Sequence, residues 1–512
     1  MAKRTSDAAE LPPPKSTAKG QGTARPPAVD EEMGEFEDKW EDEYESEGEV
    51  IDAEAEAEGE EDEDFTPAQE DSAPPPEPTK TYLPGTAIES DEHLVPDNSV
   101  YLALHSLSYS WPCLSFDVLK DTLGSDRATF PHTAWIVTGT QAGEVPGQGS
   151  KAKDEVVIMK LGNLAKTQHD DDDSDEDEDD NDDDNANDED ATLDFLTIPH
   201  IGSVNRIRAA PSSSSSGSVS GSLPDPYHVA TFSETGKVHI FDVRPYIDTL
   251  SQGQNGNSST INSKPKSKLP VHTITNHGRS EGFAVEWGRT GLLTGDIDKK
   301  IYLTTLTPTG FNTSPQPYLS HTSSVEDLQW SPNESTVFAS ASADKTVRVW
   351  DIRAKNRKSV VSVQAHKEDV NVISWNKGVD YLLVSGGDDG ELNVWDLRMF
   401  NKGQPSPVAN FAWHQAPITS VEWNPNDNSV FGASGSDDQL TLWDLSVEPD
   451  EDESSVIVKS ADGSEIPNVP PQLLFVHQGQ KDTKEIHWHS QIPGMVLSTA
   501  SDGFNVFKTI SC

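Results

Sequence analysis

From His321 to Asp351 the chain reads His-Thr-Ser-Ser-Val-Glu-Asp-Leu-Gln-Trp-Ser-Pro-Asn-Glu-Ser-Thr-Val-Phe-Ala-Ser-Ala-Ser-Ala-Asp-Lys-Thr-Val-Arg-Val-Trp-Asp. Two intervals stand out, from His321 to Asp344 and from His321 to Trp350. The same two intervals separate His366 from Asp389 and Trp395, and His414 from Asp437 and Trp443. Apolar landmarks move with them: Val325, Leu328 and Trp330, then Val370, Ile373 and Trp375, then Ile418, Val421 and Trp423. Chance does not hold two spacings three times, so the chain is built of repeats.

Within a repeat the apolar residues alternate, as in Thr346-Val347-Arg348-Val349-Trp350, and turn residues separate the runs. Period two with frequent breaks means short antiparallel strands. Four strands in a unit of about 40–45 residues make one blade of a propeller. Weaker units flank the clear three. One runs from His277 through Trp287 to Asp298 and Leu303, another from His477 through Trp488 and Asp502 to Phe507. A third starts at His200, Val204 and Ile207 and resumes from Val229 to Val243. The earliest strands are Cys113 to Leu119, Trp135 to Gly139 and Glu155 to Leu161. The fold class is therefore all-β: a seven-bladed WD-repeat propeller over 80–512. Loop insertions are expected at 166–192, 209–224, 245–270 and 446–470. An open ring would expose unpaired strand edges. Residues near 100 to 110, or the extreme C-terminus, are expected to complete a shared blade.

The recurring His, Ser, Asp and Trp resemble a hydrolytic triad at first sight. A constellation repeated blade after blade is instead a buried hydrogen-bond network: His321, Asp344 and Trp350; His366, Asp389 and Trp395; His414, Asp437 and Trp443. Its hydroxyl is expected from Ser340 or Ser342, from Ser385, and from Ser434 or Ser436. The alternation in His487-Trp488-His489, near His477, would turn two imidazoles to one face. No Cys or carboxylate stands at a matching zinc spacing. The Asp run 170–184 lacks the glycine bend and bidentate Glu of a calcium loop. No catalytic residue, metal or cofactor is expected, and the protein reads as a non-enzyme.

Charge is distributed unevenly. The formal net charge of the 512 residues is −50. Residues 30–71 hold 23 Asp and Glu against Lys39 alone, and residues 170–190 hold 16 acids and no base. Residues 1–79, rich in Pro, Ala and Glu, read as a disordered tail, and 166–192 as a disordered acidic insertion. Polyanionic segments beside a rigid platform attract Lys- and Arg-rich proteins and speed their encounter. The candidate partner-binding residues are Glu41, Asp42, Glu43, Glu60, Glu61, Asp62, Glu63 and Asp64 in the tail. In the insertion they are Asp170, Asp171, Asp172, Asp173, Asp175, Glu176, Asp177, Glu178, Asp179 and Asp180. Glu281, Glu326, Asp327, Glu368 and Asp369, where blades begin, are expected to add a docking face. Direct nucleic-acid binding is disfavoured because phosphates are repelled. Ser46 and Ser174, each followed by acids, are phosphorylation candidates.

Two cysteines, Cys113 and Cys512, make no disulfide framework and fit a reducing compartment. No apolar run approaches a membrane span, and no secretory signal opens the chain. A soluble intracellular monomer is expected. Trp350-Asp351-Ile352-Arg353 and Trp395-Asp396-Leu397-Arg398 share the pattern Trp-Asp-x-Arg, which makes Arg353 and Arg398 possible contacts for a cullin-ligase adaptor.

Several longer words go beyond repeat consensus. They include Pro112-Cys113-Leu114-Ser115-Phe116-Asp117, Leu293-Thr294-Gly295-Asp296, Ser324-Val325-Glu326-Asp327-Leu328-Gln329-Trp330, Ser385-Gly386-Gly387-Asp388-Asp389-Gly390 and Leu474-Phe475-Val476-His477-Gln478-Gly479. In these the chain closely resembles the glutamate-rich WD-repeat ribosome-assembly proteins, from about Tyr82 to the C-terminus. The resemblance implies a nuclear and nucleolar chaperone. Its client would be the newly made large-subunit ribosomal protein L-three, delivered to pre-ribosomal particles. More distantly, Trp111 to Leu119 and His200 to Arg208 resemble histone-binding propellers, which implies histones as an alternative partner. Where those proteins carry a helix before the first blade, residues 86–106 read as a poorer amphipathic helix.

Overall fold

The computed structural model describes residues 96–143, 152–167, 190–211, 223–252, 268–403, 405–448 and 469–511. Seven four-stranded antiparallel sheets follow one another around a ring. Their innermost strands are Cys113–Leu119, Val204–Ala209, Ala284–Trp287, Val325–Trp330, Val370–Trp375, Ile418–Trp423 and Glu485–Trp488, in blades 1 to 7. The ring closes as expected near residue 100. Tyr101–Leu107 is the outermost strand of blade 7, paired with Gly503–Thr509 in a register that places Leu104 opposite Phe507.

Closure also corrects one expectation. Residues 101–107, most of which fall in the stretch that reads as a poor helix, are a strand. The open edge of blade 7 both pairs their backbone and buries Tyr101 and Ala103, a burial that a lone helix would not supply. Tyr101 is buried there, its hydroxyl 2.7 Å from His477 Nδ1. The insertion expected as loop from 245 instead opens as a helix, Arg244–Gln252. Asp242 Oδ1 accepts from Arg244 N, Pro245 occupies the first turn, and Tyr246 and Ile247 bury against blades 1 and 2.

Alternation places the apolar residues between blades. Leu328, Trp330, Phe338 and Trp350 of blade 4 pack with Ala284, Leu293 and Ile301 of blade 3. Phe338 and Trp350 stack with centroids 5.6 Å apart and planes 5° apart. Burying such side chains contributes about 1.5–3 kcal/mol each, which is why each blade is held mainly by its neighbours.

The antiparallel order defines two faces. Every innermost strand begins on what we term the start face and ends on the far face. The third strand runs the same way, so each connection from third to fourth strand lies on the far face.

Candidate functional site

The repeated polar residues are joined within each blade. His321 Nδ1 lies 2.9 Å from Asp344 Oδ2 and Nε2 2.6 Å from Ser340 Oγ, which also accepts from Trp350 Nε1 at 2.8 Å. His366, Asp389, Ser385 and Trp395 repeat this arrangement at 2.8–2.9 Å. In blade 6 the expected serine is wrong. His414 Nε2 and Trp443 Nε1 both meet Thr441 Oγ1, at 2.9 and 2.8 Å, while Ser434 bonds Thr419. Burial alone would raise the Asp389 carboxyl. The bonds from His366 and from the Lys367 and Glu391 amides overcome it and bring it down to about 2.

The weaker units diverge further. His277 meets Asp296 at 2.8 Å and Thr294, while Asp298 accepts from Ser280 instead. His477 bonds Tyr101 and Asn505, and Asp502 accepts from Lys481 N. His487 and His489 are not a pair. The innermost strand ends at Trp488, so His489 turns away and its Nδ1 accepts from the Gln491 and Ile492 amides.

The blade-start carboxylates are engaged in different ways. Glu281 accepts from Asn205 at 3.1 Å, and Glu368 pairs with Lys345 at 3.1 Å. Asp327 lies in the channel wall, where it accepts from Leu328 N and Ile373 N and so ties blade 4 to blade 5. Glu326 and Asp369 remain at the channel mouth on the start face; both carboxyls are raised by burial, with Asp388 adding to the effect.

The acidic-tract residues, Glu41 to Asp64 and Asp170 to Asp180, lie outside the described residues. The described roots of the insertion are Thr167 and Asp190. Its leading root is pinned to the ring-closing strand: Thr167 N donates to Leu102 O, Leu104 N to Thr167 Oγ1, and His105 Nε2 sits 2.9 Å from Ala165 O. Both roots follow or precede strands at their far-face ends. The described roots of the insertion and the starts of the innermost strands therefore lie at opposite faces of the ring.

A charged channel runs between the innermost strands, and sequence reading missed it. Its cavity, about 230 Å³, is lined by Asp117, Arg206, Arg208, Glu286, Asp327, Lys377, Glu422 and His487 among others. Arg206 Nη1 and Arg208 Nη2 both reach Glu485 Oε1, at 2.7 and 2.6 Å, which joins blades 2 and 7. His487 Nδ1 meets Glu422 at 2.9 Å and its Nε2 lies 3.0 Å from Phe116 O. Burial would discharge His487, yet Glu422 and Glu485 raise it to about 10. Glu286 forms no ion pair among the described residues; burial, opposed by Arg208 and reinforced by Asp327, pushes it up to about 8. The missed signal is positional: Glu286, Gln329, Ser374, Glu422 and His487 each stand just before the tryptophan of an innermost strand.

Arg353 and Arg398 are exposed, each folded back on its own Trp-Asp aspartate at 2.7 Å. The Arg398 guanidinium also covers the Tyr381 ring at 3.5 Å.

The chain is 44% identical over 490 residues to "Ribosome assembly protein rrb1" of Schizosaccharomyces pombe, covering 94% of each chain. It is 48% identical over 445 residues to "Glutamate-rich WD repeat-containing protein 1" of Dictyostelium discoideum, covering 84% and 85%. The chain belongs to the glutamate-rich WD-repeat ribosome-assembly family. A third relative, "Protein HEAT STRESS TOLERANT DWD 1" of Arabidopsis thaliana, is 41% identical over 457 residues, 84% of this chain and 91% of the relative. Two family descriptions match parts of the chain: "EIPR1 beta-propeller" at 288–443, and the family of "Histone-binding protein RBBP4" and the related component of the CAF1 complex at 91–165. The second match spans the ring-closing strand and most of blade 1. In this glutamate-rich WD-repeat protein, then, the histone-binding likeness sits where the acidic insertion is rooted.

Proposed function

We propose that this chain is a ribosome-biogenesis factor, an escort that binds a newly made basic large-subunit ribosomal protein, L-three by family resemblance, and delivers it to nucleolar pre-ribosomes. The observation that carries the reading is near-full-length similarity to a protein named for ribosome assembly, in a chain with 16 acids and no base at 170–190. The physics is screening. A protein shaped to bind rRNA carries dense positive charge and sticks to any polyanion. Carboxylates covering that charge must be displaced by RNA, which confines binding to the intended site. Nucleus and nucleolus follow as the places of action.

Two other partners belong to the same reading of the residues. The match at 91–165 favours a histone client as the alternative. A substrate receptor of a cullin ligase would instead use Arg353 and Arg398.

Affinity capture of the full chain from cells with mass spectrometry tests the proposal. One stoichiometric basic ribosomal protein is expected. Equimolar histones would favour the second reading, and cullin with its adaptor the third. Replacing the acids of 170–190 by Asn and Gln should weaken client binding and flatten its salt dependence; unchanged binding and slope would remove the screening mechanism.

A further inference from the structure

The outermost strand of each blade leaves one edge of its sheet without a neighbouring strand. Such edges are templates for another chain, and proteins keep them short, irregular or covered. Six blades follow that rule. In blades 2 to 5 the outermost strands are His272–Ile274, Gly310–Thr313, Val361–Gln364 and Ala409–Phe411, of three or four residues each. Leu473–His477 of blade 6 has five residues and a shift of register. Tyr101–Leu107 of blade 7 is longer, but Thr167 occupies its edge, bonding Leu102 O and Leu104 N.

Blade 1 departs from the rule. Its outermost strand, Thr192–Pro199, runs eight residues in unbroken register with the strand beside it. His200 N donates to Asp154 O at the end of that ladder. Antiparallel bonding alternates, so Ile198, Leu196, Asp194 and Thr192 also turn their main-chain groups inward. Leu193, Phe195 and Thr197 turn theirs to the open side, where nothing bonds them among the described residues.

An apolar cavity adjoins this strand. Ile198 forms one wall of a space of about 100 Å³ completed by Phe241, Tyr246, Leu269 and Val271 of blade 2. Leu269 and Val271 are 76% and 53% exposed. A free edge beside an apolar pocket suits an extended segment: main-chain bonds hold it and the pocket selects a side chain. Charge identifies the occupant. The strand follows directly on residues 170–190, with 16 acids and no base, and Asp190 and Asp194 are exposed. A second copy of a chain with net charge −50 would bring the same acids to the edge and be repelled. A segment rich in lysine or arginine is drawn in.

We propose that the free edge of Thr192–Pro199 takes an extended basic segment of a partner protein as a fifth strand of blade 1. Leu193, Phe195 and Thr197 supply the main-chain hydrogen bonds, and an aliphatic side chain of the segment enters the cavity beside Ile198. The inference rests on the escort reading and gives the client a docking strand.

The test uses the full chain and two short synthetic peptides of equal charge. One alternates lysine and valine; the other is its counterpart methylated at every backbone nitrogen, which keeps the side chains and removes the donors. The first should bind roughly tenfold tighter than the second, because only it can extend a sheet. Its binding should slow hydrogen–deuterium exchange within 192–199, read by mass spectrometry. Thr197→Pro removes one outward N–H where proline is tolerated, and should weaken binding roughly tenfold with little change in melting temperature. Leu269→Ser, at an exposed position, should weaken it several-fold and remains informative if Thr197→Pro does not fold. Equal affinity for the two peptides, unchanged exchange at 192–199, or wild-type affinity in both variants would overturn the edge site. If neutralising 170–190 abolishes binding while both variants bind as wild type, the edge site falls and the escort reading stands. If both variants weaken binding but the full chain captures no basic ribosomal protein from cells, the escort reading falls and the edge site stands.

Discussion

Thr441 stands directly across the strand pair from Ala433, and Ala433 takes the second-strand position that Ser340 and Ser385 occupy in blades 4 and 5. The hydroxyl that joins histidine to tryptophan has moved one rung sideways, from the second strand to the third, and the network survives. Ala433 follows His414 at the interval by which Ser340 follows His321 and Ser385 follows His366.

This exchange yields a double-mutant prediction. Thr441→Val strands His414 Nε2 and Trp443 Nε1 and should cost about 1–3 kcal/mol. Adding Ala433→Ser restores a hydroxyl within the same rung and should recover much of the loss. Urea midpoints at unchanged slope measure both. A double variant no more stable than Thr441→Val would refute the equivalence.

Acid should unfold the ring through its aspartates. The Asp389 carboxyl lies near 2 when folded, against about 3.9 unfolded. A depressed carboxyl contributes stability that is complete above about pH 4 and is lost as pH falls through about 2. Asp344 is depressed in the same sense, by His321 and Thr346 against the pull of burial. Asp389→Asn should lower the melting temperature at pH 7 and flatten its fall between pH 4 and 2. A melting curve with unaltered pH dependence would contradict this assignment.

The opposite sign holds at His487. Its folded value of about 10 exceeds the ordinary 6.5, so its stabilisation is complete below about pH 6.5 and declines as pH rises towards 10. His487→Gln leaves Glu422 charged and unpaired between blades 6 and 7 and should cost about 3–5 kcal/mol. The variant should also lose the wild-type decline between pH 6.5 and 10, read by thermal unfolding.

Arg353→Ala and Arg398→Ala should behave differently from all of these. Their ion pairs are exposed and local, and water screens them, so they contribute little to stability. The double variant should melt within a few degrees of wild type. Loss of a cullin adaptor from its captured partners would then report a contact and not unfolding; a large drop in melting temperature would void that use.

The repeat is legible because it rests on spacing. His321, Asp344 and Trp350 recur at fixed intervals, and period-two alternation places Val347 and Val349 on a strand without any tertiary knowledge. The ring closure is half legible: Tyr101 is a strand-forming residue near the right place, while its partner strand is decided by which sheet edge remains open. The channel escapes such reading because its members are single charged residues on separate strands. Glu286 and His487 lie on blades 3 and 7, far apart in sequence, and only the closed ring brings them to one cavity. The different settings of the expected docking residues escape sequence reading for a related reason. Glu326 and Asp327 are adjacent in sequence, but a bulge between Val325 and Asp327 separates their environments, one at the mouth and the other in the wall.

The partnership of Leu104 with Phe507 also sets a timetable for synthesis. A strand made early must wait for almost all of the remaining chain before the one that completes its sheet emerges. At about 5–20 residues per second, that delay is on the order of a minute on the ribosome. For most of that interval both polyanionic tracts have already been translated while the toroid is still open. The charge-bearing parts thus exist before the platform does, and assembly of the last blade is the step that converts a nascent chain into a finished carrier.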